Sequence, residues 1–432
     1  MKLPKLLAGL AVASVALAAC GTSGGGGTGN KGTIKIGVDL PESGAAASSG
    51  LPTLHGVEFA VKQANDAGGV EGFKLEVSNF DDAVSGSYNE QKGVQNVSAM
   101  VGDSKVLAMV GPFNSAVAKA EIPVTNAAGL TMISPSNTNP CLTKDLPTCS
   151  YHPQDLRKGK PNNYFRVVAT DDLQGPAAAD YAFKKLNISK IAVLSDSTVF
   201  GKGIADTFQE RFKSLGGTVV LRDNYDPAST HDWRSFLTRA KSGGAGGLYV
   251  GGTDDKEACQ PRPQMKTVGW NAPYFGGDGI ETTQCIDDAG DNALDISATS
   301  AGAEATQIPA AASTIQAYKK QFPGANDYGT YTIAAYDAAN IEIAALKQAI
   351  KANNGNMPSR EQVRAEVAKT SDFKGVIGTH TFDSNGDTSV KIISMYTTKE
   401  VTADKAKDDV CGKTKPTTCF DWVTQFNFGA SS

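Results

Sequence analysis

The chain has 432 residues and a formal net charge of −4, with 40% hydrophobic and 20% charged residues. These are the values of a globular protein, and the length suggests two domains. No basic patch or run of like charges stands out, so nucleic acid is not an expected partner. After the leader, no segment is apolar enough to cross a membrane.

Residues 1–19 have the pattern of a secretory signal peptide. Lys2 and Lys5 precede an apolar run from Leu6 to Ala19 that is too short to span a bilayer. Small residues lead to Cys20, an arrangement called a lipobox, and residues 20–32 then form a glycine-rich, flexible tether. We expect a lipid on Cys20 to be the only membrane contact. An ordinary signal peptide with a chance cysteine is the alternative.

The first half of the body alternates short β-branched runs with longer helical patterns. The predicted strands are 33–38, 74–80, 106–110 and 130–133, and the predicted helices are 54–67, 88–101 and 115–127. This alternation predicts a parallel sheet covered by helices. A polar segment over 136–161 follows, and it is long for a loop inside a compact domain.

The same alternation restarts in the second half. The predicted strands are 190–194, 218–225, 247–250 and 274–276, with helices over 175–186, 201–215, 232–242 and 256–268. Later helices are predicted at 308–322, 331–352 and 360–368, and strands at 381–382 and 389–396. The fold class is therefore α/β, with two doubly wound parallel-sheet lobes.

Six cysteines follow Cys20, and an even number in an exported chain indicates disulfides. Fifteen pairings are possible in principle, and the spacing favours neighbours. The expected pairs are Cys141–Cys149, Cys259–Cys285 and Cys411–Cys419. Zinc is the alternative, but there is no C-x-x-C pair and the four histidines are scattered, so we expect no metal.

Candidate ligand contacts follow the predicted strands, because ligands of open parallel sheets bind beyond the carboxyl ends of the strands. Phe113, Asn114 and Ser115 join a strand to a helix start, where free amides and the helix dipole suit a carboxylate. Ser136 and Thr138 follow the next strand and offer hydroxyls and free backbone carbonyls. A plain N-cap at Ser115 and a polar turn at Ser136 are the alternatives.

Two further strand ends lie in the second half. Phe200 directly precedes a predicted helix and could cover a ligand, although core packing is the usual place for a phenylalanine. Asp278 lies in a glycine-rich strand end, where its carboxylate could pair with an ammonium group or merely stabilise a turn. A carboxylate site in one half and a carboxylate in the other match the two charged ends of an amino acid.

At these residues the chain resembles the branched-chain amino acid binding proteins of bacterial ABC importers, the LivJ/LivK type with fold type I. The resemblance covers about 33–396. It is carried by runs that include IKIGVDLPESG (34–44), VGPFNSAVA (110–118), MISPSNTNPCLT (132–143), FRVVATDDLQGPAAADY (165–181), FGGDG (275–279) and FDSNGD (382–387).

The resemblance implies two α/β lobes that are joined by three crossing strands and close on the ligand between them. The expected lobes are 33–168 with 300–378, and 169–299 with 379–432. By position, Ser115 and Thr138 would bind the α-carboxylate, and Thr138 and the carbonyl of Ser136 would bind the amine. Asp278 stands where the family has a glutamate facing the ammonium, and Phe200 stands where it has a tyrosine covering the ligand.

The departures from the family concern the pocket for the ligand's side chain. Ser49 and Thr253 replace aromatic residues, Asp254 follows Thr253, and Phe113-Asn114 replace a leucine-cysteine pair. The pocket is thus more polar than one for leucine. The family's usual disulfide in the first lobe is also missing.

The sequence therefore predicts a monomeric, extracytoplasmic lipoprotein that captures a small amino acid and delivers it to an ABC permease and its ATPase. No catalytic motif is present, so we expect neither an enzyme nor a cofactor. A sensor with the same fold, or a ligand such as urea, a short amide or another small polar metabolite, is the alternative.

Overall fold

The computed structural model describes residues 31–429 except Ala325 and Asp408. The predicted signal peptide, Cys20 and nearly all of the tether lie outside the described residues. The strands are β1 (Thr33–Leu40), β2 (Lys74–Asp81), β3 (Ala83–Val84), β4 (Ser87–Tyr88), β5 (Val106–Val110), β6 (Thr131–Ser134), β7 (Tyr164–Arg166), β8 (Lys190–Ser195), β9 (Thr218–Asn224), β10 (Leu248–Gly251), β11 (Tyr274–Gly276), β12 (Ile296–Ser300), β13 (Phe373–Lys374), β14 (Thr379–His380), β15 (Ile392–Glu400), β16 (Val410–Cys411) and β17 (Thr418–Asn427).

Twelve α-helices lie among the described residues. They are α1 (Ala47–Asp66), α2 (Glu90–Gly102), α3 (Ser115–Ala127), α4 (Pro153–Arg157), α5 (Asp171–Asp180), α6 (Val199–Ser214), α7 (Arg234–Ser242), α8 (Pro261–Thr267), α9 (Thr283–Ala289), α10 (Ala312–Gln321), α11 (Thr332–Ala352) and α12 (Arg360–Val367). None of these described helices is long and apolar enough to span a membrane.

The first sheet is parallel, with the strand order β2-β1-β5-β6-β7. Its central strand β5 is buried along its whole length. Such continuous apolar strands need helices on both faces, and α1, α2, α3, α11 and α12 supply them. The long helix α11 packs against α1, so a late segment of the chain completes the layer over the first sheet.

The second sheet has the order β16-β17-β15-β12-β11-β10-β8-β9. Its strands from β8 to β12 pair in parallel, whereas β15 pairs with β12, β17 with β15 and β16 with β17, each in the antiparallel sense. The predicted α/β class with two mainly parallel sheets is confirmed.

Several predicted elements differ from the observed ones. Helix α1 begins at Ala47, not at residue 54, and therefore contains Pro52. The helix predicted from residue 256 begins only at Pro261, because Glu257 has a left-handed backbone (φ 65°) and Pro261 lacks an amide donor. In place of the strand predicted at 389–396, β15 covers Ile392–Glu400. In place of the one predicted at 381–382, β14 covers Thr379–His380.

Three disulfides lie among the described residues, and all have the predicted pairing. Cys141–Cys149 closes a short loop in the segment between β6 and β7. Cys259–Cys285 joins the segment before α8 to α9, and Cys411–Cys419 joins β16 to β17. The described residues contain no cluster of three or more histidine, cysteine or acidic side chains that could hold a metal ion.

Candidate functional site between the two sheets

The carboxyl ends of the two parallel sheets meet across a narrow cleft. The side-chain amide of Asn139, just after β6, donates to the carbonyl of Val199 at the start of α6 over 2.8 Å. The hydroxyl of Ser48 in α1 donates to Asp254, after β10, over 3.1 Å. Because these contacts join elements of different sheets, the structure is a closed form.

The first turn of α3 forms one wall of the cleft. Asn114, the residue before the helix, makes no side-chain capping bond, so the first amides of α3 keep their capacity to bind an anion. Ser115 is 3% exposed, and its Oγ accepts from the amide of Asn139 over 3.3 Å. Thr138 is 1% exposed, and its hydroxyl oxygen has no hydrogen-bond partner. This wall suits a carboxylate.

Hydrogen bonds to Phe113 and Arg166 hold the segment that carries Ser136 and Thr138. The Ser136 hydroxyl donates to the carbonyl of Phe113 over 2.9 Å. Fully buried Arg166 donates through Nη1 to the carbonyls of Asn137 and Asn139, at 3.0 and 2.8 Å, and through Nε to buried Asp387 at 2.6 Å. The guanidinium thus fixes the backbone on both sides of Thr138.

Two buried carboxyl groups face the cleft from the other side. Asp278, after β11, accepts from the amide of Gln174 and, over 2.8 Å, from the hydroxyl of Tyr331. Burial raises the pKa of Asp278 to about 6, against the effect of these two donors. Asp171, the first residue of α5, is fully buried, and neither of its carboxyl oxygens accepts a hydrogen bond.

Asp171 lies close to both Asp278 and Thr138. Burial and the charge of Asp278 raise the pKa of Asp171 well above its ordinary value, although the nearby Thr138 hydroxyl opposes this shift. Two neighbouring carboxyl groups without a cation are costly to ionise. This part of the cleft therefore suits a cationic group that both can share.

Phe200 covers this region from the second sheet. It is 6% exposed, and an added Cβ at Gly277 or Gly279 would lie within 3.3 or 2.8 Å of its ring. The glycines on both sides of Asp278 therefore leave room for the ring. On the opposite wall, Phe113 packs edge-on to Tyr331, with ring centroids 5.8 Å apart.

The remaining predicted residues line one small cavity of about 10 Å³ beside the charged groups. Ser49, Phe113 and Asn114 come from the first sheet's side, and Thr253 and Asp254 from the second. Asn114 is followed in the chain by Ser115, and Gly279, which also lines the cavity, follows Asp278. The structure thus brings all ten predicted ligand contacts to one cleft.

A larger cavity of about 30 Å³ lies behind the cleft, where the chain crosses between the sheets. Tyr331 lines the larger cavity, and its hydroxyl donates to Asp278 in the cleft. None of the ten predicted contacts lines this second cavity. Its position places it outside the candidate ligand site.

The sequence did not predict four contributors to the site: Asp171, Gln174, Tyr331 and Arg166. Arg166, Asp171 and Gln174 lie in the run FRVVATDDLQG, which is part of the family resemblance, but no contact with the ligand was predicted for them. Acidic residues at the start of a helix usually only interact with the helix dipole, so the sequence pattern alone did not distinguish Asp171 from its neighbour Asp172.

The sequence profile of the family described as periplasmic binding protein matches residues 33–404. A Leu/Ile/Val-binding protein homolog 3 of Brucella melitensis is 31% identical over 364 residues, covering 84% of this chain and 90% of the relative. The crystal structure of LivJ of Streptococcus pneumoniae in complex with isoleucine is 29% identical, with a TM-score of 0.72, covering 84% of this chain and 96% of the other.

The leucine-binding protein LivK of Thermotoga maritima has the same fold at 22% identity, with a TM-score of 0.74 and coverage of 91% and 99% of the two chains. The fold and cleft define a type I periplasmic binding protein. The chain belongs to the periplasmic binding protein family and is related to its branched-chain amino acid members. Like its relatives, it is a substrate-binding protein and not an enzyme.

Proposed function

We propose that this protein binds an α-amino acid in the cleft between its two sheets. The ligand's carboxylate is held by the first turn of α3, Ser115 and Thr138, and its ammonium group by Asp278 and Asp171. The observation that carries this proposal is the fully buried Asp171, whose carboxyl oxygens accept no hydrogen bond and lie beside a second buried carboxyl group. The homologous LivJ complex with isoleucine supports the same ligand class.

An ammonium group fits this arrangement for a physical reason. It carries three donors and a positive charge, whereas the cleft offers Asp171, Asp278 and the Thr138 hydroxyl as acceptors. Charge-assisted hydrogen bonds are stronger than neutral ones, and they offset the cost of burying the carboxylates. Arg166 acts on Asp171 only through its charge, and no described side chain forms an ion pair with Asp171 or Asp278. The proposed ligand thus supplies a cation in direct contact with both carboxyl groups.

The proposed mechanism is capture by lobe closure and delivery to an ABC permease. Ligand contacts come from both lobes that the sequence predicts, so the ligand stabilises the closed form over the open one. We propose that the permease recognises the closed form. The relatives' role in branched-chain amino acid binding and transport supports this assignment. Attachment outside the cytoplasm through a lipid on Cys20 completes the proposal.

Calorimetry with the ligand released from the purified protein, and identified by mass spectrometry, tests the site. Asp278→Asn and Asp171→Asn should each weaken binding by about 1.5–3 kcal/mol, because each removes a charged acceptor, and Ser115→Ala by about 0.5–1.5 kcal/mol.

The matched control is Asp172→Asn. Asp172 is the next residue in α5, but its carboxylate pairs with Lys144 at 2.8 Å instead of facing the cleft. This variant should bind like the wild type. Wild-type affinity in both Asp278→Asn and Asp171→Asn, or a released ligand without an amino group, would show that the ligand is not held as an α-amino acid.

A further inference from the structure

The small cavity beside the charged groups has two buried polar atoms without partners. The side-chain oxygen of Asn114 and the hydroxyl oxygen of Thr253 make no hydrogen bond, although the residues are only 7% and 5% exposed. Both residues line the cavity, one from each side of the cleft. A buried polar group without a partner is destabilising unless a ligand satisfies it.

Asp254 contributes to the same cavity but has its own partners. Its carboxylate accepts from the amide of Asp255 over 2.7 Å, from the hydroxyl of Ser48 over 3.1 Å and from the hydroxyl of Thr282. These donors occupy both of its carboxyl oxygens, although burial still raises the pKa of Asp254 to about 7. The acceptors left for a ligand are therefore the neutral ones of Asn114 and Thr253, which favour a neutral hydrogen-bond donor over a cation.

The position of the cavity assigns it to the ligand's side chain. Asn114 directly precedes Ser115, and Gly279 directly follows Asp278, so a ligand whose charged ends contact Ser115 and Asp278 extends towards Asn114 and Thr253. The volume is only about 10 Å³, so the side chain must be short. A branched aliphatic group would leave both polar atoms without partners.

We propose, on the basis of the function proposed above, that this cleft selects an α-amino acid with a short, neutral side chain that ends in a hydroxyl or a primary amide. Asn114 and Thr253 are the residues that determine this specificity. The ligand class therefore differs from the leucine, isoleucine and valine after which the relatives are named.

Two nearly isosteric ligand pairs provide the test. Threonine and valine differ by a hydroxyl in place of a methyl group, and asparagine and leucine have similar shapes. We expect the wild-type protein, freed of ligand by unfolding and refolding, to bind threonine or asparagine at least about tenfold more tightly than its aliphatic counterpart in calorimetry.

Two variants test whether Thr253 and Asn114 cause the preference for the polar ligand. Thr253→Val and Asn114→Leu should each reduce the preference for the polar ligand by about tenfold, because each replaces an acceptor with an apolar group. Thr218→Val, at an exposed position of the edge strand β9, is the matched control and should leave the preference unchanged.

The outcomes separate the two proposals. If valine or leucine binds as tightly as its polar counterpart, the specificity proposal is wrong while amino acid binding stands. If no α-amino acid binds, the proposed function fails and the specificity proposal fails with it. An unchanged preference in both Thr253→Val and Asn114→Leu would also overturn the assignment of these residues.

Discussion

Two opposing effects, burial and hydrogen bonding, act on the pKa of Asp278 in the absence of a cation. It is buried in the cleft, which favours its neutral form, yet it accepts hydrogen bonds from Gln174 and Tyr331, which favour its charged form. Burial dominates, and the pKa of Asp278 rises to about 6. The protonation state of this one residue therefore changes close to neutral pH.

This shift predicts a pH dependence of ligand binding. An ammonium ligand pairs with ionised Asp278, so above pH 6 the carboxylate is ready for the ligand. Below pH 6 the free protein holds a proton that binding must release, and affinity should fall by up to about tenfold per pH unit. Calorimetry between pH 7.5 and 5 measures this, at roughly constant ionic strength. An affinity that does not change over this range would contradict the role of Asp278.

Burial of Asp278 and of two other carboxyl groups has an effect on folding stability of the opposite sign. Burial raises the pKa of Asp196 and Asp278 to about 6 and that of Asp254 to about 7. An acid whose pKa is raised in the folded state destabilises the fold as the pH rises from its ordinary value through the raised one. These buried carboxyl groups thus destabilise the ligand-free fold most at and above neutral pH, where ligand binding is strongest.

At the scale of elements, a small hairpin and a turn hold the cleft closed. The hairpin β3–β4 lies on the first sheet's side, and the turn with Asp255 and Lys256 follows β10. Asp255 accepts from the Ser87 hydroxyl and, over 3.2 Å, from the Tyr88 amide. Lys256 donates to the Tyr88 carbonyl over 3.3 Å, and its Nζ lies 4.2 Å from the centroid of the Tyr88 ring.

Because these contacts join the two sides of the cleft, we expect Asp255→Ala to favour an open form. We expect the ligand affinity to fall by about 1 kcal/mol, or roughly fivefold, because Asp255 is only partly buried. Small-angle X-ray scattering should show a larger radius of gyration at subsaturating ligand. Asp232→Ala removes an exposed acid that pairs only locally with Arg234, and it should change neither quantity. A wild-type affinity and radius for Asp255→Ala would show that the hairpin contact does not stabilise closure.

For the whole molecule, we propose that membrane attachment depends on a part of the chain that does not contact the ligand. The expected anchor, Cys20, precedes a glycine-rich segment, which the sequence predicts to be a flexible tether. A single cysteine would then decide whether the protein is attached to a membrane.

Cys20→Ala should move the protein from the membrane fraction to the soluble fraction and leave ligand affinity unchanged, because a lipid needs the thiol. Ser23→Ala, in the tether, is the control and should stay with the membrane. Cell fractionation with immunoblotting measures both. Persistence of Cys20→Ala in the membrane fraction would show that another part of the chain attaches the protein.

Strands and helices with strong local sequence patterns were predictable from the sequence. β5 and α3 have the predicted bounds, since a continuous apolar run and a helix after Ser115 are local features. β12 was not predicted because its residues, Ile296–Ser300, are mostly small and polar although all are buried. Only its position between β11 and β15 makes it a strand.

The sequence by itself determined the α/β class and the three disulfide pairs, because alternating patterns and short spacings are local. Strand ends also predicted Ser115, Thr138, Phe200 and Asp278, whereas Ser49, Thr253 and Asp254 were predicted only from the family resemblance. The tertiary structure decided which polar groups are left without partners there. Asp171 and Asp172 are adjacent acids in the same helix turn, yet one faces Asp278 and the other pairs with Lys144. The carboxyl group that Asp171 faces, Asp278, is more than a hundred residues away in the chain. The packing of the sheets brings the two together, and no local pattern predicts this contact.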